Sequence, residues 1–453
     1  MLWERLGRFF QRKFKEDFLR KPVKIKDIGE KEYENLIKRS FLQFEKVLPR
    51  VISIVNEVKD RGDEAFLEFT EKFDGVRLSS DSLILTDDEV KKAYRNLPSS
   101  LVSSLKRMCQ QVRFFHQNQL ERRKNWSCKG EKYGDYTLGE FFSPVEKAAI
   151  YVPGGKASYP STAVMGCIPA KLAGVKEVVV CSPPSSGGEI LPEVVVAAHL
   201  AGADLIVKGG GAQAVAALAF GTSTFPRVDL IAGPGNIYVT CAKAYLASLG
   251  EIGIDCPAGP SEVLIIADNS APPDYIVWDM LSQAEHDEAS FSVLVTTSRK
   301  LAFDVWERLE REANSCKRKK IILPSLEKNS FILLAENLEE AVNFANKFAP
   351  EHLEIITGDP EKLLPFIKNA GSVFLGPFSP VAAGDYFTGC NHILPTGGSA
   401  RFLSGLSVDT FLKRISYQKL SLDTLLKMKE HIEKIALQEG LEAHLKSIEA
   451  RLE

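Results

Sequence analysis

The sequence predicts an α/β protein: two doubly wound, Rossmann-like sheet domains with small helical extensions at the N- and C-terminal ends. Three observations predict it. From Lys147 onward, short apolar runs alternate with Gly-rich turns and helices of small residues, the signature of parallel βα units. The same rhythm starts again at Phe291. And 453 residues with 45% hydrophobic content bury a substantial core but exceed what one ordinary core accommodates.

Taken in order, residues 1–24 carry eight Lys/Arg against three acids, with Leu2, Leu6, Phe9, Phe10, Phe14 and Phe18 near helical spacing. An amphipathic helix is expected there, docked on the protein's own body or on a partner subunit. Binding to a membrane surface is the other reading, and Glu4, Glu16 and Asp17 argue against a transit peptide. From Phe44 to Lys72 a helical pattern runs through Val47, Val51, Ile54 and Val58, pauses at Arg61-Gly62-Asp63 and resumes at Ala65, Phe66 and Phe69, so two packed helices are expected. Thr86-Asp87-Asp88-Glu89 has the form of a capping box and starts another helix, which Pro98 interrupts before a long one from Ser99 to about Arg123. Strands are expected at 148–152, 177–181, 204–207, 229–232 and 262–266, with Ala- and Val-rich helices at 161–172, 193–203 and 212–220 lying against the sheet. The second sheet is expected from strands at 291–296, 321–323, 331–334, 353–356 and 372–375, with helices at 301–313 and 338–347. No repeat of residue identity links the two halves. The tail from Ser421 to Leu452 is charged and helical in pattern.

A net charge of −2 gives no long-range field for nucleic acid or an anionic membrane, so a small, weakly charged ligand is the better expectation. No apolar run reaches membrane-spanning length, no secretory leader is legible, and the eight cysteines form no Cys-x-x-Cys pair. A reduced, cytoplasmic protein is expected. Any metal would then need His, Asp and amide ligands, a harder set that suits a site meeting substrate.

Chemistry concentrates in a few stretches. In Leu281-Ser-Gln-Ala-Glu-His-Asp-Glu288, Gln283 and His286 lie three positions apart at a helix end, so both should project from one face and can grip one metal ion. A solvated helix end is the plain alternative. Glu351-His352 sets a carboxylate beside an imidazole at the start of a strand, a pair able to divide proton transfers, unless Pro350 and Glu351 only end the preceding helix. Asp385, read in a loop between Gly384 and Tyr386, suits a further metal ligand or a cap, and His392 either orients a substrate or satisfies a turn. Glu439 and His444, five residues apart on the last helix, by themselves favour a solvated face. Three Gly-rich corners follow strands: Tyr151-Val-Pro-Gly-Gly155, Gly209-Gly-Gly-Ala-Gln-Ala214 and Gly233-Pro-Gly-Asn236. Such corners present N–H groups to a pyrophosphate. The middle one fits G-x-G-x-x-A, but Asp229, about twenty residues on, opens a strand where a ribose-binding acid should follow one.

These stretches resemble the histidinol dehydrogenase family over about residue 25 to the C-terminus. The matching motifs are long: Tyr-Val-Pro-Gly-Gly-Lys-Ala-Ser-Tyr-Pro-Ser-Thr from Tyr151, Ala-Gly-Pro-Gly-Asn from Ala232, Pro-Ala-Gly-Pro-Ser-Glu-Val-Leu from Pro257, Gln-Ala-Glu-His-Asp from Gln283, Ala-Pro-Glu-His-Leu-Glu from Ala349, and Gly384 to Thr396. Cys256 and the basic N-terminal extension depart from the pattern outside the site residues. The resemblance implies Gln283, His286, Asp385 and His444 as ligands of one zinc ion. It implies Glu351 and His352 as proton-transfer residues. Ser261, His352, Glu439 and His392 would hold L-histidinol beside the metal, and Tyr151, Gln213 and Asn236 would contact NAD. It further implies oxidation of L-histidinol to L-histidine through bound histidinal with two NAD, in a homodimer whose sites are shared. The domains expected are an N-terminal helical segment (1–46), a discontinuous first sheet domain carrying the catalytic and metal residues (47–150 with 263–405), a second carrying the NAD contacts (151–262), and a C-terminal helical domain docking on the partner (406–453). The competing readings are a related zinc and NAD dehydrogenase for another small polyol or amino alcohol, and a non-catalytic nucleotide- or metal-sensing module.

Overall fold

The computed structural model describes residues 19–39, 44–154, 158–257 and 259–452. The amphipathic segment 1–18 lies outside the described residues, as do Gly155 of the first glycine corner and Ala258 of the Pro257 motif. The chain opens with a short strand β1 (Val23–Lys24) and helix α1 (Glu30–Ile37). Helices α2 (Phe44–Arg61) and α3 (Asp63–Asp74) break at Gly62, whose φ of 57° only glycine adopts without strain. Helix α4 (Asp87–Arg95) starts on the expected capping box, with Thr86 Oγ1 accepting from the Glu89 N–H and Glu89 Oε2 accepting from the Thr86 N–H. Helix α5 (Ser99–Leu120) follows. Next come β2 (Trp126–Gly130) and β3 (Tyr136–Pro144), then β4 (Lys147–Tyr151), α6 (Pro160–Ala173), β5 (Glu177–Ser182), α7 (Pro192–Ala201), β6 (Leu205–Lys208), α8 (Gly211–Phe220), β7 (Leu230–Ala232), α9 (Ile237–Ser248) and β8 (Gly253–Ile254). A second run holds β9 (Glu262–Ala267), α10 (Pro273–Ala284), β10 (Phe291–Thr296), α11 (Arg299–Ser315), α12 (Lys319–Asn329), β11 (Ser330–Leu334), α13 (Leu338–Phe348), β12 (His352–Ile356), β13 (Ser372–Leu375) and α14 (Val381–Tyr386). Strand β14 (Leu412–Leu420) and helices α15 (Leu422–Gln438) and α16 (Glu442–Glu449) close the chain.

Two parallel sheets result, with strand orders β6-β5-β4-β7-β8 and β1-β11-β10-β9-β12-β13. Apart from the added edge strand β1, each follows its own chain order as third, second, first, fourth, fifth, the doubly wound arrangement expected. Strands β4, β5 and β9 are apolar almost throughout because helices cover both faces. Each core side chain so buried, Ile150 or Phe348 for example, stabilises by about 1.5–3 kcal/mol.

Four features differ from the expectations. Residues 319–329 form helix α12, not a strand at 321–323: the run Ile321-Ile322-Leu323 is too short to distinguish the two, and only Ile322 of it is buried. Asp385 sits in the short helix α14 and not in a loop. Residues 44–120 pack on the sheet of β4 to β8, since Val51, Ile54 and Phe66 share a core with Val207 and Ile231, and Met108 and Val112 with Ile150 and Val180. The expected grouping put 47–150 with 263–405 instead. Finally β14, β3 and β2 form a three-stranded antiparallel sheet that carries the C-terminal helices. Among the described residues no helix is long and apolar enough to cross a membrane.

Candidate active site

The site forms at the N-terminal ends of two neighbouring strands, β9 and β12, which are paired with His352 opposite Val263. Helix α13 ends at Ala349 with φ 49°, the one non-glycine residue at positive φ among those described, and this turn delivers Glu351 and His352 into the strand. Contrary to simple alternation, the two side chains stay close: Glu351 Oε2 lies 3.5 Å from His352 Nδ1. Glu262 holds both by its main chain. Its N–H donates to Glu351 Oε2 at 2.8 Å, and its carbonyl accepts from His352 Nδ1 at 2.9 Å. That bond fixes the tautomer, leaving Nε2 of His352 as a bare acceptor, buried and without a partner among the described residues. Burial pushes the His352 pKa down to about 3, so the ring is neutral. Burial likewise lifts the Glu351 carboxyl well above the usual carboxylate range, against the pull of the Glu262 N–H.

The side chain of Glu262 is fixed in turn. Arg39 forms a fork of two 2.6 Å bonds to its carboxylate, and the Gly397 N–H donates to it at 3.1 Å. The guanidinium lies 3.5 Å over the Phe348 ring and donates to the Phe348 carbonyl at 2.9 Å, binding the pair to the end of α13. Sequence reasoning missed both: Glu262 stood inside a matched motif without a role, and a lone arginine after a short helix carries no signal.

Asp385, His286 and His392 lie around this centre. Gln283, the penultimate residue of α10, is buried, while His286 follows in the turn, its N–H donating to the Gln283 carbonyl at 3.3 Å. His286 thus lies one turn beyond Gln283, just past the last residue of the helix. His286 is held below its ordinary pKa by burial, then by Arg318, and its charge would act on both His352 and His392. Asp385 Oδ1 lies 3.9 Å from His352 Nε2 and 4.0 Å from His392 Nδ1. His392 donates from Nδ1 to the Asp385 carbonyl at 3.0 Å and faces Thr162 Oγ1 at 3.4 Å across from the other sheet unit. Burial lowers its pKa to about 4. Glu354, two residues beyond His352, accepts from the Val381 N–H at 2.8 Å and thus ties β12 to the first residue of the Asp385 helix.

Zinc fits this set as far as it is gathered. The Gln283 amide has a buried end without a partner among the described residues, and which end is oxygen depends on what it meets. Desolvation alone raises Asp385 to about 7, a cost that a divalent cation removes. Amide, imidazole and carboxylate form the N/O donor set expected. Within one chain, however, no three His, Cys, Asp or Glu of the described residues come together as a metal cluster. Glu439 and His444 are exposed on α15's end and α16, outside this centre. Ser261 is half-buried immediately before Glu262.

The glycine corners lie at the C-terminal edge of the other sheet, after β4, β6 and β7. The Tyr151 hydroxyl accepts from the Gly211 N–H at 3.1 Å, and Gln213 is buried with neither amide atom partnered among the described residues. Asn236 caps α9, its Oδ1 accepting from Tyr238 and Val239 at 3.0 and 3.2 Å. Gly233 is clasped from both sides: Asp255 accepts its N–H at 2.8 Å, Lys243 donates to its carbonyl at 2.8 Å, and Lys243 and Asp255 are ion-paired and buried.

Comparisons with known proteins agree with these motifs. Residues 37–452 match the family model described as histidinol dehydrogenase. The chain is 45% identical over 429 residues to histidinol dehydrogenase of Methanocaldococcus jannaschii, covering 95% of this chain and 98% of that one. It is 48% identical over 405 residues to that of Geobacter sulfurreducens, covering 89% and 92%. The crystal structure of histidinol dehydrogenase from Elizabethkingia anophelis superposes with a TM-score of 0.89 at 35% identity, over 96% of this chain and 98% of that one. On its sheets, its motifs and these matches, the chain belongs to the histidinol dehydrogenase family.

Proposed function

We propose that this chain oxidises L-histidinol to L-histidine, a four-electron conversion through bound histidinal. The observation that carries the reading is the buried pair on Glu262: a neutral His352 with a bare Nε2 beside a Glu351 carboxyl whose pKa burial has raised. His352 Nε2 takes the hydroxyl proton of the alcohol in the first oxidation. Glu351 then activates the water that hydrates the aldehyde for the second, and enclosure keeps the aldehyde from side reactions. Ser261, His392 and Glu439 hold the substrate. Gln283, His286, Asp385 and His444 would hold one zinc ion per subunit, which supplies a Lewis acid and a fixed point for the substrate's nitrogens. Tyr151, Gln213 and Asn236 would hold NAD, the electron acceptor used twice.

Since Glu439 and His444 are exposed on the C-terminal helices of one chain, the reading includes a homodimer in which the partner's tail completes each site. In this reading the residues of 263–405 supply the chemistry and those of 151–262 the NAD contacts. Counting NADH per histidinol tests it. About two are expected, with no free aldehyde; a ratio of one overturns the four-electron reading. Glu351→Gln should cripple oxidation of added histidinal more than that of histidinol, because only the aldehyde step needs the activated water.

A further inference from the structure

The G-x-G-x-x-A corner after β6 lacks the acid that usually follows such a corner to bind a ribose. Asp229 does not serve, since its Oδ2 accepts the N–H groups of Glu146 and Lys147 at 2.9 and 3.0 Å, at the far end of the sheet. Another acid reaches the corner from outside the sheet. Asp74, the last residue of α3, lies so close that a methyl group on Gly210 would sit 3.4 Å from its Oδ2. The same methyl would strike Pro183 at 2.8 Å, and one on Gly154 would strike Pro183 at 2.7 Å, so the first and second glycine corners face each other across that ring. Asp74 Oδ2 is buried and has no donor among the described residues, and its charge acts on the Tyr151 hydroxyl. Gln213, 1% exposed, leaves both amide atoms unpartnered at the same corner.

A carboxylate short of donors, an amide short of partners and glycines that admit close approach are complementary to a vicinal diol. A carboxylate only accepts, and each ribose hydroxyl donates. We propose that Asp74 is the ribose-binding acid of the NAD site, accepting the vicinal hydroxyls of a nucleotide ribose and excluding a 2′-phosphate by charge, so that the enzyme selects NAD over NADP. This inference rests on reading the glycine corners as the NAD site. Desolvation raises the Asp74 pKa, and hydroxyl donors restore the charged form. Rejection follows because a phosphate dianion beside a partly buried carboxylate finds like charge.

Binding of NADH and NADPH to the intact enzyme, measured calorimetrically without substrate, tests it with Asp74→Asn and Asp74→Ala. Both variants should bind NADH tenfold or more weakly while NADPH binds no worse, narrowing the preference at least tenfold. KM for NAD should rise with kcat changed less than twofold. The melting temperature without nucleotide should hold or rise, because Oδ2 makes no hydrogen bond that its loss would break. Unchanged NADH affinity in variants of an enzyme that binds NADH overturns the assignment to Asp74 alone. Equal weakening of both nucleotides with a lowered melting temperature means a structural role and also overturns it. A wild-type enzyme that binds neither nucleotide overturns the NAD reading and this assignment with it. If the alanine variant does not fold, the isosteric asparagine variant decides.

Discussion

Glu262 spends its main chain on Glu351 and His352 and its side chain on Arg39, so a residue that performs no proton transfer sets the tautomer of one that does. The Arg39–Glu262 pair is 1% exposed at both side chains, which makes removal of one partner costly. Arg39→Met should lower stability by about 3–5 kcal/mol, because it leaves a buried carboxylate without its cation. Arg39→Lys should recover only part of that, since an ammonium cannot reproduce the fork. Denaturant titration showing a loss under about 1 kcal/mol for the Met variant would rule out the clamp. His116 offers a pH test away from the metal residues. It is fully buried between Gln119 and Asn391, the neighbour of His392, and burial lowers its pKa from 6.5. A histidine with a lowered folded pKa gives stability present above its unfolded value and lost as pH falls below it, at about 1.4 kcal/mol per pH unit. The wild type should therefore lose stability from about pH 6.5 downward more steeply than His116→Gln, and parallel stability curves would show that the ring is not held neutral.

At the scale of elements, the third glycine corner gives the sharpest expectation. Gly233 has φ 110°, and a methyl there would sit 2.2 Å from the Tyr151 carbonyl oxygen. Gly233→Ala should cost at least ~1–3 kcal/mol in backbone strain and weaken NADH binding, because the loop must leave the clasp of Asp255 and Lys243. An unshifted melting temperature and unchanged NADH affinity would contradict this. Apart from the two-residue edge strands β1 and β8, the parallel strands were legible because burial on both faces makes them unbroken apolar runs, as in Val178-Val179-Val180, punctuated by glycine. The antiparallel strands were not. In β14 almost every residue is exposed, as Lys413-Arg414-Ile415-Ser416 shows, so neither alternation nor an apolar run announced it. Gln283, His286, Glu351, His352, Asp385 and His392 were legible as residue types, but the approach of Asp385 and His392 to His352 depends on α14 lying against β12, a long-range arrangement that local spacing does not encode. Hence His286 was expected on the helix and lies in the turn beyond it.

At the scale of the whole molecule, the C-terminal arm rides on the three-stranded sheet. Thr424 Oγ1 donates to the Asp135 carbonyl at 2.9 Å, and α15 and α16 pack on each other. Together the arm and sheet expose Phe141, Ile415, Tyr417, Leu422, Leu426, Ile435, Leu437 and Leu441. In the proposed homodimer this apolar surface would be where the partner docks, bringing its own Glu439 and His444 to the other chain's Gln283, His286 and Asp385. A mixing experiment separates that arrangement from one in which each chain serves itself. His352→Asn and His444→Asn should each be inactive alone, since each spoils every site of its own dimer. Unfolded together and refolded in equal amounts, they should form about half mixed dimers, and each mixed dimer has one site with both native histidines and one with neither. About a quarter of wild-type activity should return. If mass spectrometry shows mixed dimers and no activity returns, His444 serves its own subunit, and the arm must reach the centre within one chain.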